Sequence, residues 1–203
     1  MTLRDPRRSS PAALRNREPI LAALQRHLPQ KSGRVLEIAS GTGEHAVFMA
    51  QKLPHLVWQP SDPDAANRDS IAAYSEDSGL ANLMAPIDLD TTQAIWPVAA
   101  CDAIFCANMV HIAPWQATLG LLAGAKRTLA PSGVLVLYGP FIEDGVPTAA
   151  SNLAFDADLR ARNSAWGLRR VAEIAAAAAG FDAPQRVAMP ANNLCLVFVQ
   201  NGL

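Results

Sequence analysis

The stretch Val35-Leu36-Glu37-Ile38-Ala39-Ser40-Gly41-Thr42-Gly43-Glu44-His45-Ala46 constrains the fold more than any other part of the chain. An apolar run of strand length passes into a turn with glycine at alternate positions, and the turn passes at once into a segment of helical period. Gly41 and Gly43 let the backbone turn tightly and let a ligand come close where a Cβ would block it. Elsewhere, short β-branched or apolar runs alternate with longer helical segments, which is the sequence form of a parallel sheet with crossover helices. The strands predicted are Arg34–Ile38, His55–Gln59, Leu83–Ile87, Cys101–Cys106, Val134–Tyr138, Gln185–Met189 and Leu194–Val199. Helices are predicted over Glu44–Lys52 and, behind the cap Asp62-Pro63-Asp64, over Asp64–Ser75. Another runs from Pro114, with apolar Leu119, Leu122 and Leu129, up to the stop Pro131-Ser132-Gly133, and a last one covers Ala172–Ala179 before Gly180. The expectation is an α/β fold: a seven-stranded, mostly parallel sheet with an antiparallel last strand and helices on both faces.

At 203 residues the chain fits a single domain, 1–203, with a core large enough to need no staples. Its 17 basic residues stand against 18 acidic ones, a net charge of −1. Such a balance gives no global attraction to phosphate backbones or anionic lipid, so neither nucleic acid nor a membrane is expected as a partner. Cys101, Cys106 and Cys195 lie inside apolar runs rather than at metal-binding spacing, and they read as buried thiols in a reducing compartment, with no metal site. No run approaches the roughly 18 apolar residues of a membrane span. Charged residues follow Arg7-Arg8 where a signal peptide would carry its apolar segment, so a cytoplasmic location is expected. Nothing in the sequence fixes an oligomeric state.

Read as G-x-G-x-x-A, Gly41, Gly43 and Ala46 match a dinucleotide site that holds pyrophosphate on a helix N-terminus. A glycine turn that binds nothing has the same spelling. Glu37 shifts the balance, because an acid at the end of the first strand repels pyrophosphate and suits a ligand carrying an ammonium group. It argues against a nicotinamide-dependent oxidoreductase. The string Glu37-Ile38-Ala39-Ser40-Gly41-Thr42-Gly43 resembles the first motif of class I S-adenosylmethionine-dependent methyltransferases, D/E-x-G-x-G-x-G, with Ala39 replacing the first glycine. The added methyl narrows the turn's conformational freedom. Asp62, just past the second strand, can accept from both ribose hydroxyls. Asp64 competes for that role, and either acid can instead cap a helix. Asp88, just past the third strand, stands where a class I methyltransferase commonly holds the adenine amine, with Asp90 as a helix cap beside it.

The segments Ser10 to Leu21, Val57 to Asp62, Ile104 to Trp115, Leu137 to Phe141, Ser151 to Asp156 and Met189 to Phe198 extend the resemblance. With the glycine stretch they look like the methyltransferase-like family called domain of unknown function 938, over nearly the whole chain. The resemblance implies a Rossmann-like class I methyltransferase fold with S-adenosyl-L-methionine as its ligand. It supplies no methyl acceptor; a chain of this size has nothing beyond its core to hold a polymer, which points to a small molecule. A cofactor-binding module that has lost catalysis is the alternative.

In an open α/β sheet, ligands lie beyond the carboxyl ends of the strands, near the point where strand order reverses. Glu37, Ala39, Ser40, Gly41, Gly43, Asp62, Asp88 and Asn108 are therefore the expected cofactor-binding residues. His111 is the best placed of the four histidines to serve as a base, with a structural role as its competitor, and Tyr138 is a second catalytic candidate. His45, close to a positive helix end, is expected to stay neutral. Arg15, Asn16, Asn152, Asp156 and Asn193 are candidates for the acceptor site. Asn152 and Asp156, four apart, also read as a solvated helix face with Asp156 paired to Arg160. The segments 1–30 and 140–165 flank the sheet and are expected to cover that rim. Trp115 is the tryptophan beside the His111 loop, and Arg160, Arg162, Arg169 and Arg170 read as a surface patch rather than an anion site.

Overall fold

The computed structural model describes residues 5–201; Met1–Arg4 of the expected N-terminal segment, and residues 202–203, lie outside that range. Strands β1 (Gly33–Ile38), β2 (Leu56–Pro60), β3 (Cys101–Ala107) and β4 (Leu129–Gly139) are parallel, and β5 (Gln185–Met189) and β6 (Asn193–Val199) complete the sheet. The order is β2-β1-β3-β4-β6-β5, with β6 antiparallel to both its neighbours.

The sheet has six strands, not seven. Leu83–Ile87 lies beside β2 but makes only isolated bridges, Trp58 to Leu83 and Ser61 to Ile87. Trp58 N–H donates to the Asn82 carbonyl at 2.8 Å and Met84 N–H to the Trp58 carbonyl at 2.9 Å. Two residues on, both strands place a proline at the ladder, Pro60 and Pro86. Neither has an N–H to donate, so the pairing breaks there. The Gln59 side chain bridges the gap, donating to the Ala85 carbonyl at 2.7 Å.

Side chains alternate across the sheet, and each face carries a helical layer. Leu36, Ile38, Ile104, Leu135 and Leu137 pack with Leu121 of α4 (Trp115–Thr128) and Ile174 of α6 (Val171–Ala177). Val35, Phe105 and Val136 pack instead with Ile20 and Leu24 of α1 (Pro11–His27) and Met49 of α2 (Glu44–Lys52). Each such side chain, fully buried, contributes about 1.5–3 kcal/mol. The stripe on α4 differs from the expected one: Leu119 is exposed, Leu121 and Leu122 are buried, and Leu129 already belongs to β4. Pro131-Ser132-Gly133 does not follow a longer helix but kinks β4, with Ser132 at φ 63° and the pairing jumping from Cys101↔Leu129 to Ala103↔Val134. Helix α3 (Ala65–Ser78) is capped by Asp64, whose carboxylate accepts from the Ala66 and Asn67 N–H groups. The 140–165 insertion is irregular up to α5 (Ala150–Arg162). The three cysteines are buried and free. No helix among the described residues is long and apolar enough to cross a membrane.

Candidate functional site

The topology brings the turn after β1, the ends of β2, β3 and β4, and the connection from β5 to β6 to one rim. Strand order reverses between β1 and β3, and there Ile38, Ala39, Pro63, Leu89, Asp90 and Met109 line a cavity of about 330 Å3. Three residues of the turn have positive φ: Ala39 at 52°, Gly41 at 59° and Gly43 at 92°. The two glycines serve different ends. A Cβ at Gly41 would meet no atom within 4 Å, so the chain is bare and open there. A Cβ at Gly43 would stand 2.9 Å from the Ile71 Cα, so that glycine admits α3 rather than a ligand.

Glu37 shares a face with Val35, on the α1/α2 side of the sheet, and is only 2% exposed. Its Oε2 accepts from the Trp58 indole N–H at 2.7 Å. Burial pushes the carboxyl up to about 7 from 4.5, against the pull of the Trp58 and Ser40 hydrogen bonds, and the neighbouring Asp62 charge adds to the rise. Glu37 thus faces the other side of the sheet from the core layer that borders the cavity, and it is not among the residues that line it.

Asp62 is buried at the end of β2 and is already largely committed. Its Oδ2 accepts from the Gly41 N–H at 2.9 Å, and its Oδ1 from the Asp64 N–H at 2.9 Å and the Asn67 amide at 3.1 Å. A carboxylate offers about four lone-pair sites, so one is left for a ribose hydroxyl and the expected two-hydroxyl grip is not available. Ser40 likewise ties the turn to β2: its N–H donates to the Ser61 carbonyl and its Oγ accepts from the Ser61 N–H. Of the paired acids, Asp90 lines the cavity, whereas Asp88 is exposed and ion-paired to Arg68 at 3.2 Å. Asp90 caps no helix; it accepts from the Thr92 N–H and hydroxyl in a tight turn.

Asn108 also has positive φ, 60°, and starts the short 3-10 turn Met109–His111. Its N–H donates to the Tyr138 carbonyl at 2.8 Å. His111 is fully buried, stands edge-on to Phe141 with ring centroids 4.8 Å apart, and has no hydrogen-bond partner on either ring nitrogen. Gly139 makes its room, since a Cβ there would be 2.5 Å from Nε2. Burial, with the Arg169 guanidinium adding to it, pushes the imidazole down to about 3. Tyr138 lies on the other face of the sheet, in the α1/α2 layer, where burial pushes its hydroxyl up to about 12. The structure therefore separates the two catalytic candidates, and His111 lines neither the cavity at Ala39 nor the one beside α5.

That second cavity, about 230 Å3, is bounded by Phe141, Glu143, Thr148, Asn152, Met189 and Asn193. Asn152 donates to the Asn192 carbonyl at 2.9 Å and Asn193 to the Pro190 carbonyl at 3.0 Å, which leaves their amide oxygens free to accept. Asp156 is not among its walls. It accepts from Arg160 Nε at 2.9 Å and from the Leu168 N–H at 2.7 Å, and pins α5 to the following loop. Arg15 is exposed and Asn16 half-buried on α1. Arg162 and Arg170 pair with Asp158 and Asp144, and Arg169 donates to the Val110 and Ala113 carbonyls with its guanidinium over the Trp115 ring. His45 is buried and its imidazole is pushed down by that burial, the Ala13 carbonyl lying 3.3 Å from Nε2. Sequence reasoning passed over Glu44 and Ser70, both buried behind the turn; an acid in the first turn of a helix was the available signal.

Solved structures share this architecture. An O-methyltransferase family protein from Burkholderia thailandensis superposes with a TM-score of 0.79 at 17% identity, over 94% of this chain and 58% of its own. Human N-acetylserotonin methyltransferase, solved in complex with S-adenosylmethionine, gives a TM-score of 0.75 at 13% identity, over 94% and 53%. A putative O-methyltransferase from Nostoc punctiforme gives 0.77 at 18%, over 91% and 55%. The chain thus spans a little over half the length of each, and the likeness is one of fold: an α/β, methyltransferase-like sheet with helices on both faces. Residues 7–200 match the family described as protein of unknown function (DUF938), and the chain belongs to it.

Proposed function

We propose that this chain is an S-adenosylmethionine-dependent methyltransferase acting on a small molecule. One observation carries the reading: a buried acid, Glu37, directly precedes Ile38 and Ala39, which line a cavity at the point where strand order reverses. The residues present fit that methyl donor. A cavity of about 330 Å3 is within the usual range for small-molecule sites. Leu89 and Met109 offer apolar walls to a purine and Asp90 a carboxylate to its amino group, while the remaining lone pair of Asp62 suits a ribose hydroxyl. Glu37, which has no Lys or Arg partner among the described ion pairs, suits the ammonium of an amino-acid tail. When bound, S-adenosylmethionine supplies an electrophilic methyl group; the protein's share is to orient it toward an acceptor and to exclude water.

On this reading the cavity at Asn152 and Asn193 holds the acceptor, and its free amide oxygens orient N–H or O–H groups. His111, neutral and enclosed, offers no basic nitrogen to either cavity. An acceptor that arrives as an anion, or as a neutral amine that sheds its proton to solvent after the transfer, needs no such base. The same observation favours a second reading, a module that binds S-adenosylmethionine and has lost turnover. Titration calorimetry with S-adenosylmethionine, S-adenosylhomocysteine and NAD tests the first step. The first two are expected to bind and NAD not to, and Glu37→Ala is expected to abolish binding; tight binding of NAD alone overturns the proposal. Transfer of a labelled methyl group into a small-molecule extract then separates the enzyme from the inactive module.

A further inference from the structure

Thr42 is the apex of the glycine turn, and its side chain and carbonyl are held from outside the turn. Its hydroxyl donates to Glu44 Oε2 at 3.0 Å, and its carbonyl accepts from Ser70 Oγ at 2.8 Å. Both partners are buried, and both are also bonded to the segment that precedes α1. Glu44 accepts from the Ser9 hydroxyl at 3.0 Å and from the Ser10 N–H at 2.6 Å. Ser70 Oγ accepts from the Arg8 N–H at 2.9 Å, and the Tyr74 hydroxyl donates to the Arg8 carbonyl at 3.1 Å. The inner bonds of the turn, by contrast, run from Gly41 to Asp62 and from Gly43 to Ser40 and leave Thr42 out.

We propose that Glu44 and Ser70 are positioning residues for the cofactor turn: they transmit the docking of residues 8–10 to Thr42, so that docking of this strap and occupancy of the turn strengthen each other. The inference rests on the cofactor reading above and adds to it a coupling between two parts of the chain. A turn with three residues in the left-handed region keeps that shape only while its surroundings over-determine it. Here the surroundings at the apex are two side chains whose other hydrogen bonds all go to the strap. Reciprocity follows: whatever factor the docked strap adds to ligand affinity, the ligand adds to docking of the strap.

The test uses the full chain with S-adenosylhomocysteine as probe. Glu44→Ala and Ser70→Ala are each expected to weaken its binding about tenfold, within the range usual for such coupling. In turnover assays they are expected to raise the KM for S-adenosylmethionine with little change in kcat. Glu44→Gln keeps an oxygen for the Ser10 N–H and is expected to restore most of the affinity. In the wild-type chain the Arg8 and Ser10 amides are expected to exchange more slowly with deuterium when the probe is bound, a readout that needs no variant to fold. Probe binding that leaves this exchange unchanged, with both alanine variants binding like wild type, overturns the coupling and leaves the cofactor reading intact. A wild-type chain that binds no probe overturns that reading and this inference with it.

Discussion

At Glu37 the demands of folding and of ligand binding oppose one another. Burial holds its carboxyl near 7 rather than 4.5, so the folded chain keeps the proton more tightly than the unfolded chain does. Stability contributed by this group is fully present below pH 4.5 and is lost as the pH rises through 7, a loss of about 3 kcal/mol at its full extent. Glu37→Gln keeps an oxygen for the Trp58 N–H and never charges. We expect the variant to melt above wild type at pH 8 and close to it at pH 4.5, with S-adenosylhomocysteine binding lost; thermal melts at both pH values and calorimetry check this. Coincident melts at pH 8 would mean that the carboxyl is not desolvated. Two residues on, Ala39 carries φ 52°, a region that costs an L-residue about 1–2 kcal/mol. Ala39→Gly removes that strain at the expense of a freer unfolded chain, so a net gain of up to about 1 kcal/mol is expected. It should appear as a higher urea midpoint at unchanged slope. A lower midpoint would mean that the alanine methyl's packing on the core outweighs the strain.

Helix α4 shows how one element's surface builds a wall of the site. Gly120 and Gly124 leave a notch one turn long, in which a Cβ at Gly120 would overlap the Thr91 carbonyl and a Cβ at Gly124 the Trp96 ring. The Thr91 hydroxyl donates to the Ala117 carbonyl at 3.0 Å and locks the segment in place. That segment continues directly from Leu89 and Asp90, which line the cavity. Gly120→Ala must displace backbone, so a loss of about 1–3 kcal/mol is expected together with weaker S-adenosylhomocysteine binding. Urea melts and calorimetry on the one variant would refute the packing argument if neither changed. Nothing local to Gly120 or Gly124 says what will pack there, and so the sequence shows them only as helix residues. The central strands were legible because burial on both faces demands continuous apolar runs, as in Val134 to Tyr138. Leu83–Ile87 is also mostly apolar but carries Pro86, and that Pro86 falls opposite Pro60 shows only once the register is known. Likewise Glu37 and the glycines form a local pattern that can be read directly. The choice between Asp88 and Asp90, the ion pair of Asp156 and the partners of Glu44 depend on turn geometry and on segments remote in sequence.

Across the whole molecule, Glu37 and His111 set opposing responses to acid from opposite faces of one sheet. The His111 imidazole titrates near 3 in the folded chain and near 6.5 when released, so its contribution is present above pH 6.5 and is lost progressively as the pH falls toward 3. Glu37 works in the other direction between 4.5 and about 7. From pH 6.5 to 4.5 the unfolded chain gains a proton at one group while the folded chain gains one at the other, and the two slopes offset. Below 4.5 the histidine acts alone, and stability from this pair falls steeply. His111→Leu removes that fall at little expense, because neither ring nitrogen has a partner to lose and an apolar side chain suits the space against Phe141. The variant is expected to match or exceed wild type at pH 7 and to lead it by several kcal/mol at pH 4, in urea denaturation at both values. Parallel behaviour of the two chains across that range would mean that the folded imidazole is hydrated or partnered.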